Sequence, residues 1–370
     1  MRCIPIAIAI SACAWMCIAL STQAHAADLE PLLKGGRVPG LAFAVVREGK
    51  IVELGAFGVR DTSTGLSVDE NTVFEAASLS KPVFAYAVLQ LVDAGILQLD
   101  TPLSKYAPDY VKNDPRAASV TVSDVLSQTS GLPNWRGWAR PLKTNFEPGS
   151  RFSYSGEGFV WLQHAVAAAT GETLNDVMTR LVFDPLGMKQ TSYTWRADFE
   201  ADFAVPHDGL TRNRKARPAA PSVAYTLHTT AADYARFLEA VLSGTRLNRA
   251  TAEQWLSPQT TLDQRCIECL GSNAQYVDQR VSWGLGWGLE PGQGSFFHWG
   301  DNGGFKAFAV GSRADRTAVI VLTNGSNGMA IMPDVIAQLM PGERPAFAWL
   351  NYPRTSARGR LDPQVEPAAH

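Results

Sequence analysis

The order of hydrophobic and polar residues predicts strands near both ends of the chain. Near the start, LAFAVVREGKIVELGAFGVRD holds two apolar runs on either side of Glu48-Gly49-Lys50, a pattern typical of a β-hairpin. Near the end, SFFHWG, FKAFAVGS and TAVIVLTN are strand-like runs separated by short polar turns. The apolar residues of AIMPDVIAQLM, which follows them, recur with helical spacing.

The middle of the chain is predicted to be mainly helical. Helical spacing, N-cap residues or closing glycines mark TVSDVLSQ, FVWLQHAVAAATG, TLNDVMTRLVF and TTAADYARFLEAVLSG. The fold class is therefore expected to be α/β (α+β), with an antiparallel sheet built from both termini and flanked by helices, and with an inserted mainly helical lobe. Residues 27–340 are expected to form a single two-lobed domain whose lobes share one cleft. The segment 341–370, with scattered proline and arginine, is expected to be an irregular tail.

Residues 1–26 resemble a secretory signal peptide. Arg2 precedes an apolar stretch that ends at the small-residue site Ala24-His25-Ala26. Cleavage after Ala26 predicts a periplasmic or secreted protein with no stable membrane span after signal cleavage. An uncleaved anchor helix is the alternative, because the apolar stretch approaches the length that spans a bilayer.

Composition adds few constraints beyond these. The chain has 370 residues, is 18% charged and has a formal net charge of -2. A nucleic-acid partner is not expected, since a phosphate-backbone binder usually carries a basic surface. The one short basic run, RNRKAR from Arg212 to Arg217, is interpreted as a solvated loop.

Only two of the five cysteines lie outside the predicted signal peptide. Cys266 and Cys269 form the motif CIEC within a polar stretch. In an exported protein such a pair is most simply a local disulfide, whereas a structural zinc site would need further ligands. We expect this disulfide to be structural rather than catalytic, and we expect neither a metal nor an organic cofactor.

The stretch FEAASLSKPVFAYAVLQLVDAG places Ser78 and Lys81 where an apolar helix is predicted to begin. A lysine there is unfavourable for the helix dipole, which suggests another role. Residues three apart share a helix face, so the amine can reach the serine oxygen. A desolvated lysine can act as the base that activates a serine nucleophile, although chance placement is the alternative. No other lysine of the chain has a serine three positions before it, and no G-x-S-x-G motif is present.

The setting FEAASLSKP resembles the nucleophile motif of the serine β-lactamase and penicillin-binding-protein superfamily, in its class C-like branch of D,D-peptidases, esterases and β-lactamases. Five further stretches resemble that branch in the same order, from about Val38 to Asn324. They are PGLAFAVVREGKIVELGAFGVRD, VLSQTSGLP, FDPLGM, LHTTAADYARFLEAV and FHWGDNGGF. The resemblance implies a catalytic role for Ser78 and Lys81.

The resemblance also implies a catalytic role for Tyr154. In RFSYSGEGF it stands where the family has Tyr-x-Asn, whose tyrosine helps to move protons between the serine, the lysine and the leaving group. Gly156 replaces the asparagine, which would bind the acyl amide of a penicillin or peptide. Two further departures are Gln128, where the family often has histidine, and Ala224-Tyr225, where it often has Gly-Gly.

His298-Trp299-Gly300 corresponds to the family's Lys-Thr-Gly box, so His298, Gly300 and Asp301 are implied substrate-binding residues. Gly300 would let substrate approach the backbone, and the N–H of Asp301 would join that of Ser78 in an oxyanion hole. The family lysine holds a substrate carboxylate. A histidine, with a reference pKa of about 6.5, predicts a preference for neutral esters that depends on pH through His298.

Together these features predict an exported serine hydrolase that acts through a Ser78 acyl-enzyme on small esters or amides, including D-amino-acid peptides. A class C-like β-lactamase is one alternative. Another is a penicillin-binding-like module that acylates or binds cell-wall peptides with little turnover. The expected partner is a small-molecule ester or amide, a β-lactam or a D-amino-acid peptide. Whether Lys81 or Tyr154 is the base stays open at this point.

Overall fold

The computed structural model describes residues 28–137, 141–262, 266–271, 280–352 and 354, so the predicted signal peptide lies outside the described residues. In chain order the strands are β1 (Gly40–Arg47), β2 (Lys50–Asp61), β3 (Leu66–Ser67), β4 (Phe74–Glu75), β5 (His207–Asp208), β6 (Thr211–Arg212), β7 (His228–Thr229), β8 (Thr260–Thr261), β9 (Ser282–Trp283), β10 (Gly288–Glu290), β11 (Ser295–Asn302), β12 (Phe305–Ser312) and β13 (Thr317–Thr323). The helices are α1 (Glu30–Gly36), α2 (Ser80–Asp93), α3 (Val122–Leu126), α4 (Gly156–Thr170), α5 (Leu174–Met178), α6 (Asp184–Leu186), α7 (Ala231–Ser243), α8 (Arg249–Trp255), α9 (Gly328–Leu339) and α10 (Pro345–Trp349).

One antiparallel sheet joins the two ends of the chain. Within the described residues it has nine strands in the order β3-β2-β1-β13-β12-β11-β10-β9-β8. The early strand β1 pairs with the late strand β13, with Leu41 opposite Thr323. The predicted fold class, a sheet built from both termini with helices inserted between them, is confirmed.

The hairpin predicted around Glu48 and Gly49 forms between β1 and β2, where Arg47 pairs with Lys50. Both turn residues have positive φ angles, 52° and 74°, as a two-residue hairpin turn that follows the strand twist requires. Glycine adopts this conformation without a steric penalty, which explains its position in the turn.

The sheet is covered on both faces, and β1 shows how. Alternate residues of a strand point to opposite faces. Ala42 and Ala44 belong to the hydrophobic core that includes α2, α4 and α7, whereas Leu41 and Phe43 belong to the core that includes α1, α9 and α10. A central strand buried on both faces is an almost continuous apolar run, as the sequence of β1 is.

The segment expected to be irregular from residue 341 onward contains α10 instead. Phe347 stacks on Phe308 of β12 with ring centroids 4.5 Å apart, and Trp349 is 4% exposed. The expectation of an irregular tail is therefore wrong for this helix, whose aromatic residues bury apolar surface against the sheet. Of the helices that the structure describes, none combines the length and apolar character needed to cross a membrane.

Candidate active site

Ser78 lies in a short turn, Ala77–Leu79, that leads directly into α2. Ala77 has a φ of 48°, in the left-handed region that costs a residue with a Cβ about 1–2 kcal/mol. Hydrogen bonds hold the turn in place: the Ser80 hydroxyl donates to the Ala77 carbonyl at 2.6 Å, and the buried Tyr193 hydroxyl donates to the Ser80 carbonyl at 2.6 Å. The serine is thus presented at the helix start on a strained, well-supported turn.

Lys81 lies beside Ser78, as the spacing predicts. Its Nζ is 3.1 Å from Ser78 Oγ and donates to the Ala224 carbonyl at 2.8 Å. The side chain is fully buried, and burial lowers the pKa of its amine to about 7. At neutral pH a substantial fraction of the amine is therefore unprotonated and able to accept a proton.

Tyr154 is the third residue of this group and packs against the Lys81 amine. Lys81 Nζ lies 4.7 Å from the centre of the Tyr154 ring. Burial raises the pKa of the Tyr154 hydroxyl above its usual value, the nearby Ser78 lowers it and the Glu268 carboxylate raises it further. The Tyr154 hydroxyl lies close to Ser78, but it forms no hydrogen bond of good geometry with any of the described residues. At neutral pH it is therefore a protonated phenol.

Residues from distant segments of the chain hold the main chain around Tyr154. Gln128, with a φ of 59°, accepts from the Ser155 amide through Oε1 at 2.7 Å and from the Ser153 amide through its carbonyl at 2.8 Å. The Tyr154 amide itself donates to the Ile267 carbonyl at 2.9 Å. Nothing in the local pattern signals these contacts, because each joins segments far apart in the chain.

That Ile267 lies within the CIEC loop, where the structure joins Cys266 and Cys269 by a disulfide. The same loop contacts the chain just before Tyr154, since Arg151 Nη2 donates to the Leu270 carbonyl at 3.0 Å. The disulfide therefore closes a loop that supports the tyrosine segment, and its role as a structural rather than a catalytic disulfide stays a prediction.

Gly300, on β11, meets the Ala77–Leu79 turn, which carries the candidate nucleophile Ser78 and is called the nucleophile turn below. A Cβ at this position would lie 2.3 Å from the Ala76 carbonyl oxygen, too close for any side chain. The next residue, Asp301, forms an ion pair with Lys306 of β12. The strand end thus lies beside Ser78, and Lys306, the cation next to it, is already paired.

His298 lies beneath the site and is fully buried. Its ring centre is 6.0 Å from that of Tyr154. The Nδ1 atom is 2.8 Å from the Trp299 carbonyl, which can only accept, so Nδ1 carries the proton and Nε2 is a bare acceptor with no partner among the described residues.

The expected pH dependence through His298 is wrong. Burial, and then the charge of Lys81, lower the pKa of His298 to about 3. The ring is therefore neutral at every pH above about 4, and its charge cannot change between pH 5.5 and 8.5. Its position under Tyr154 also places it away from the open side of the site.

A buried polar network lies behind the nucleophile turn. Lys215 Nζ donates to Glu75 Oε2 at 3.1 Å and to His228 Nε2 at 2.7 Å, and Asn302 Nδ2 donates to the other Glu75 oxygen. Burial, and then Lys215, lower the pKa of His228 to about 3, while burial also lowers the pKa of Lys215 and its partner Glu75 opposes that shift. Glu75 precedes the nucleophile turn and Asn302 follows Asp301, so this network ties the two segments together.

Lys215 belongs to the basic run interpreted as a solvated loop, and for this residue that interpretation is wrong. Its side chain is 1% exposed. It also lies 4.8 Å from the ring centre of Phe305, so the charge is balanced by Glu75 and partly by an aromatic face.

Gly156, the departure from Tyr-x-Asn, has its side-chain space already filled. Its amide donates to Asn134 Oδ1 at 2.8 Å, and a Cβ there would meet Asn134 oxygens and Trp135 at 3.0 Å. Asn134 Nδ2 donates in turn to Glu268 Oε1 at 2.8 Å. Trp135 packs edge-on against Tyr225, and both residues are partly exposed, by 49% and 39%. Tyr225 follows the Ala224 carbonyl that binds Lys81, so this aromatic pair borders the site.

The chain matches known proteins over most of its length. A model of the Beta-lactamase family matches residues 25–339. Penicillin-binding protein 4 of Amycolatopsis lactamdurans is 28% identical over 331 residues, which cover 82% of this chain and 85% of that protein. Esterase EstB of Burkholderia gladioli is 33% identical over 219 residues, 50% of this chain and 54% of the esterase.

A solved structure shows the same fold. The octameric penicillin-binding protein homologue from Pyrococcus abyssi matches with a TM-score of 0.69 at 20% identity, covering 83% of this chain and 75% of that one. The family suggested by the SLSK motif is thus confirmed by comparisons that extend over nearly the whole described chain. The chain belongs to the beta-lactamase family.

Proposed function

We propose that this protein is a serine hydrolase that cleaves small neutral esters through a Ser78 acyl-enzyme. The observation that carries the proposal is the placement of Lys81 Nζ at 3.1 Å from Ser78 Oγ, with a pKa lowered to about 7 by burial. A base whose pKa lies near the working pH is the most effective at accepting a proton from a nucleophile.

In the first step Ser78 Oγ attacks the ester carbonyl carbon while its proton passes to the neutral Lys81 amine. Negative charge develops on the carbonyl oxygen, and the backbone N–H groups of Ser78 and Asp301 stabilise it. When the tetrahedral intermediate collapses, the carbon–oxygen bond to the alcohol breaks. The departing alkoxide receives the proton from the Lys81 ammonium by way of the Tyr154 hydroxyl.

In the second step a water molecule attacks the acyl carbon and gives its proton to the Lys81 amine. Collapse then restores Ser78 Oγ, which recovers that proton, and the acid is released. Tyr154 serves as a proton donor rather than the initial base, because its raised pKa keeps it protonated.

Two features favour esters over penicillins and D-amino-acid peptides. Gly156 lacks an amide side chain for the acyl group, and Asn134 and Trp135 fill the space where one would extend. Lys306, the nearby cation, is paired with Asp301, so it is not free to bind a carboxylate. The likeness to a penicillin-binding protein supports a second candidate, in which a β-lactam acylates Ser78 with little turnover. The signal-like first segment supports action in the periplasm or outside the cell.

Steady-state turnover of a nitrophenyl ester, a penicillin and a peptide ending in D-alanine tests this proposal. The wild type should hydrolyse the neutral ester best, and Ser78→Ala should abolish this turnover. The exposed Ser119→Ala is the matched control and should retain it. Unchanged ester hydrolysis by folded Ser78→Ala would refute the nucleophile. Turnover of penicillin exceeding that of the ester would instead favour a β-lactamase.

A further inference from the structure

The CIEC loop carries a charge at the edge of the site that the proposed reaction does not use. Glu268 is exposed, and its Oε1 accepts from Asn134 Nδ2 at 2.8 Å. Asn134 in turn accepts from the Gly156 amide, and the neighbouring Ile267 carbonyl binds the Tyr154 amide. One hydrogen-bonded path thus holds the Glu268 carboxylate near the start of α4, and a second holds the backbone of the neighbouring Ile267 against Tyr154.

No cation neutralises Glu268 among the described residues. Two other charged pairs lie around the site: Lys306 with Asp301, and Arg136 with the buried Glu157. The effect of the Glu268 charge reaches the site itself, since it adds to the raised pKa of Tyr154. Glu268 is thus a carboxylate at the edge of the site that no ion pair offsets within the described part of the chain.

We infer that Glu268 selects substrates by charge, disfavouring acyl chains that carry a carboxylate and favouring neutral and cationic ones. This inference rests on the proposed function and names the substrate class of the same site. The carboxylate binds Asn134, the residue that contacts Gly156, on the side where the acyl group is expected from the family resemblance. A fixed negative charge there repels an acyl carboxylate and attracts an ammonium group, at distances where screening by solvent is incomplete.

Glu268→Gln is the sharpest available change. Glutamine has nearly the same shape, and its Oε1 can still accept from Asn134, so the substitution removes the charge while the hydrogen bond remains. A merely structural role for Glu268 would leave substrate preference unchanged. Glu253→Gln is the matched control, because Glu253 is an exposed carboxylate on α8.

The measurement is kcat/KM for three nitrophenyl esters with acyl chains of similar length, which end in a methyl, a carboxylate or a trimethylammonium group. In Glu268→Gln, kcat/KM of the carboxylate ester relative to the methyl ester should rise about three- to tenfold at low salt. The relative value for the ammonium ester should fall by a similar factor. Both changes should shrink at about 0.5 M NaCl, where charges are screened within a few ångströms.

Unchanged ratios in Glu268→Gln, or the same change in Glu253→Gln, would overturn the inference. An equal loss for all three esters would also overturn it, since that result indicates support of Tyr154 and no selection by charge. These outcomes leave the proposed function intact, because the methyl ester would still be cleaved in a Ser78-dependent manner. Failure of the proposed function would appear separately, as turnover of all three esters by Ser78→Ala.

Discussion

Replacing Lys81 by methionine should abolish turnover and stabilise the fold at neutral pH. The buried amine has its pKa lowered from 10.5 to about 7, which corresponds to ~5 kcal/mol of unfavourable burial of the ammonium at neutral pH and below. Methionine fills a similar volume without a charge. The Ala224 carbonyl would lose its donor, at a cost of about 1–3 kcal/mol. The net expectation is a gain of ~2 kcal/mol in the free energy of unfolding at pH 7.

The pH dependence of this gain follows from the sign of the shift. The folded-state pKa lies below the unfolded one, so the unfolded chain binds more protons between about pH 7 and pH 10.5. Wild-type stability therefore rises with pH across that window through this group, and the methionine variant lacks the rise. The difference between the two proteins is largest at about pH 7 and below, and it shrinks as the pH approaches 10.

The assay is urea unfolding under non-reducing conditions, followed by tryptophan fluorescence at about pH 6, 7, 8 and 9. Lys112→Met, at an exposed position, is the control and should change stability little at any of these pH values. A Lys81→Met protein less stable than wild type at pH 7 would refute the reasoning. So would a stability gap of the same size at every pH, because it would show that the amine carries no depressed pKa.

Gly300→Ala should lower kcat by about a hundredfold or more, as measured by steady-state kinetics with a neutral ester. The alanine Cβ would lie 2.3 Å from the Ala76 carbonyl oxygen and would force the end of β11 away from the nucleophile turn. Glu75→Gln should lower kcat more than it raises KM, because the Glu75 network holds the two segments that supply the proposed oxyanion donors. Equal binding of a boronic-acid inhibitor by the variant and the wild type would count against this role of Glu75. Replacing Cys266 and Cys269 together by serine should reduce kcat by about three- to tenfold, because the loop would hold the tyrosine segment less firmly; this loss is on the scale of one hydrogen bond. Full activity in the folded variant would contradict this prediction.

The strands and the nucleophile pair could be predicted because each depends on short-range pattern. The hairpin at Glu48-Gly49 follows from alternation and turn chemistry, and the Ser78–Lys81 contact follows from residues three apart at a helix start. The likeness to a known family then located Tyr154 and Gly300. Each of these signals lies within a few residues of sequence, where backbone geometry is closely constrained.

The remaining features depend on contacts between distant segments, which no local pattern encodes. Lys215 sits in a basic run that is typical of an exposed loop, yet its partner Glu75 is 140 residues away. Gln128 adopts a left-handed conformation and binds residues 27 positions further along, at Ser155. The neutral state of His298 depends on complete burial and on the charge of Lys81, so residue type alone suggested the wrong pH dependence.

Trapping of the acyl-enzyme tests the central claim most directly. The protein would be mixed with a neutral nitrophenyl ester, quenched in acid within one turnover, and studied by intact-mass spectrometry and peptide mapping across about pH 5.5 to 8.5. The prediction is one acyl group on the peptide that contains Ser78, formed at a rate that falls below about pH 7 as Lys81 becomes protonated. An acyl group on another residue, or a rate of Ser78 acylation that does not change across this range, would contradict a Ser78 nucleophile activated by Lys81.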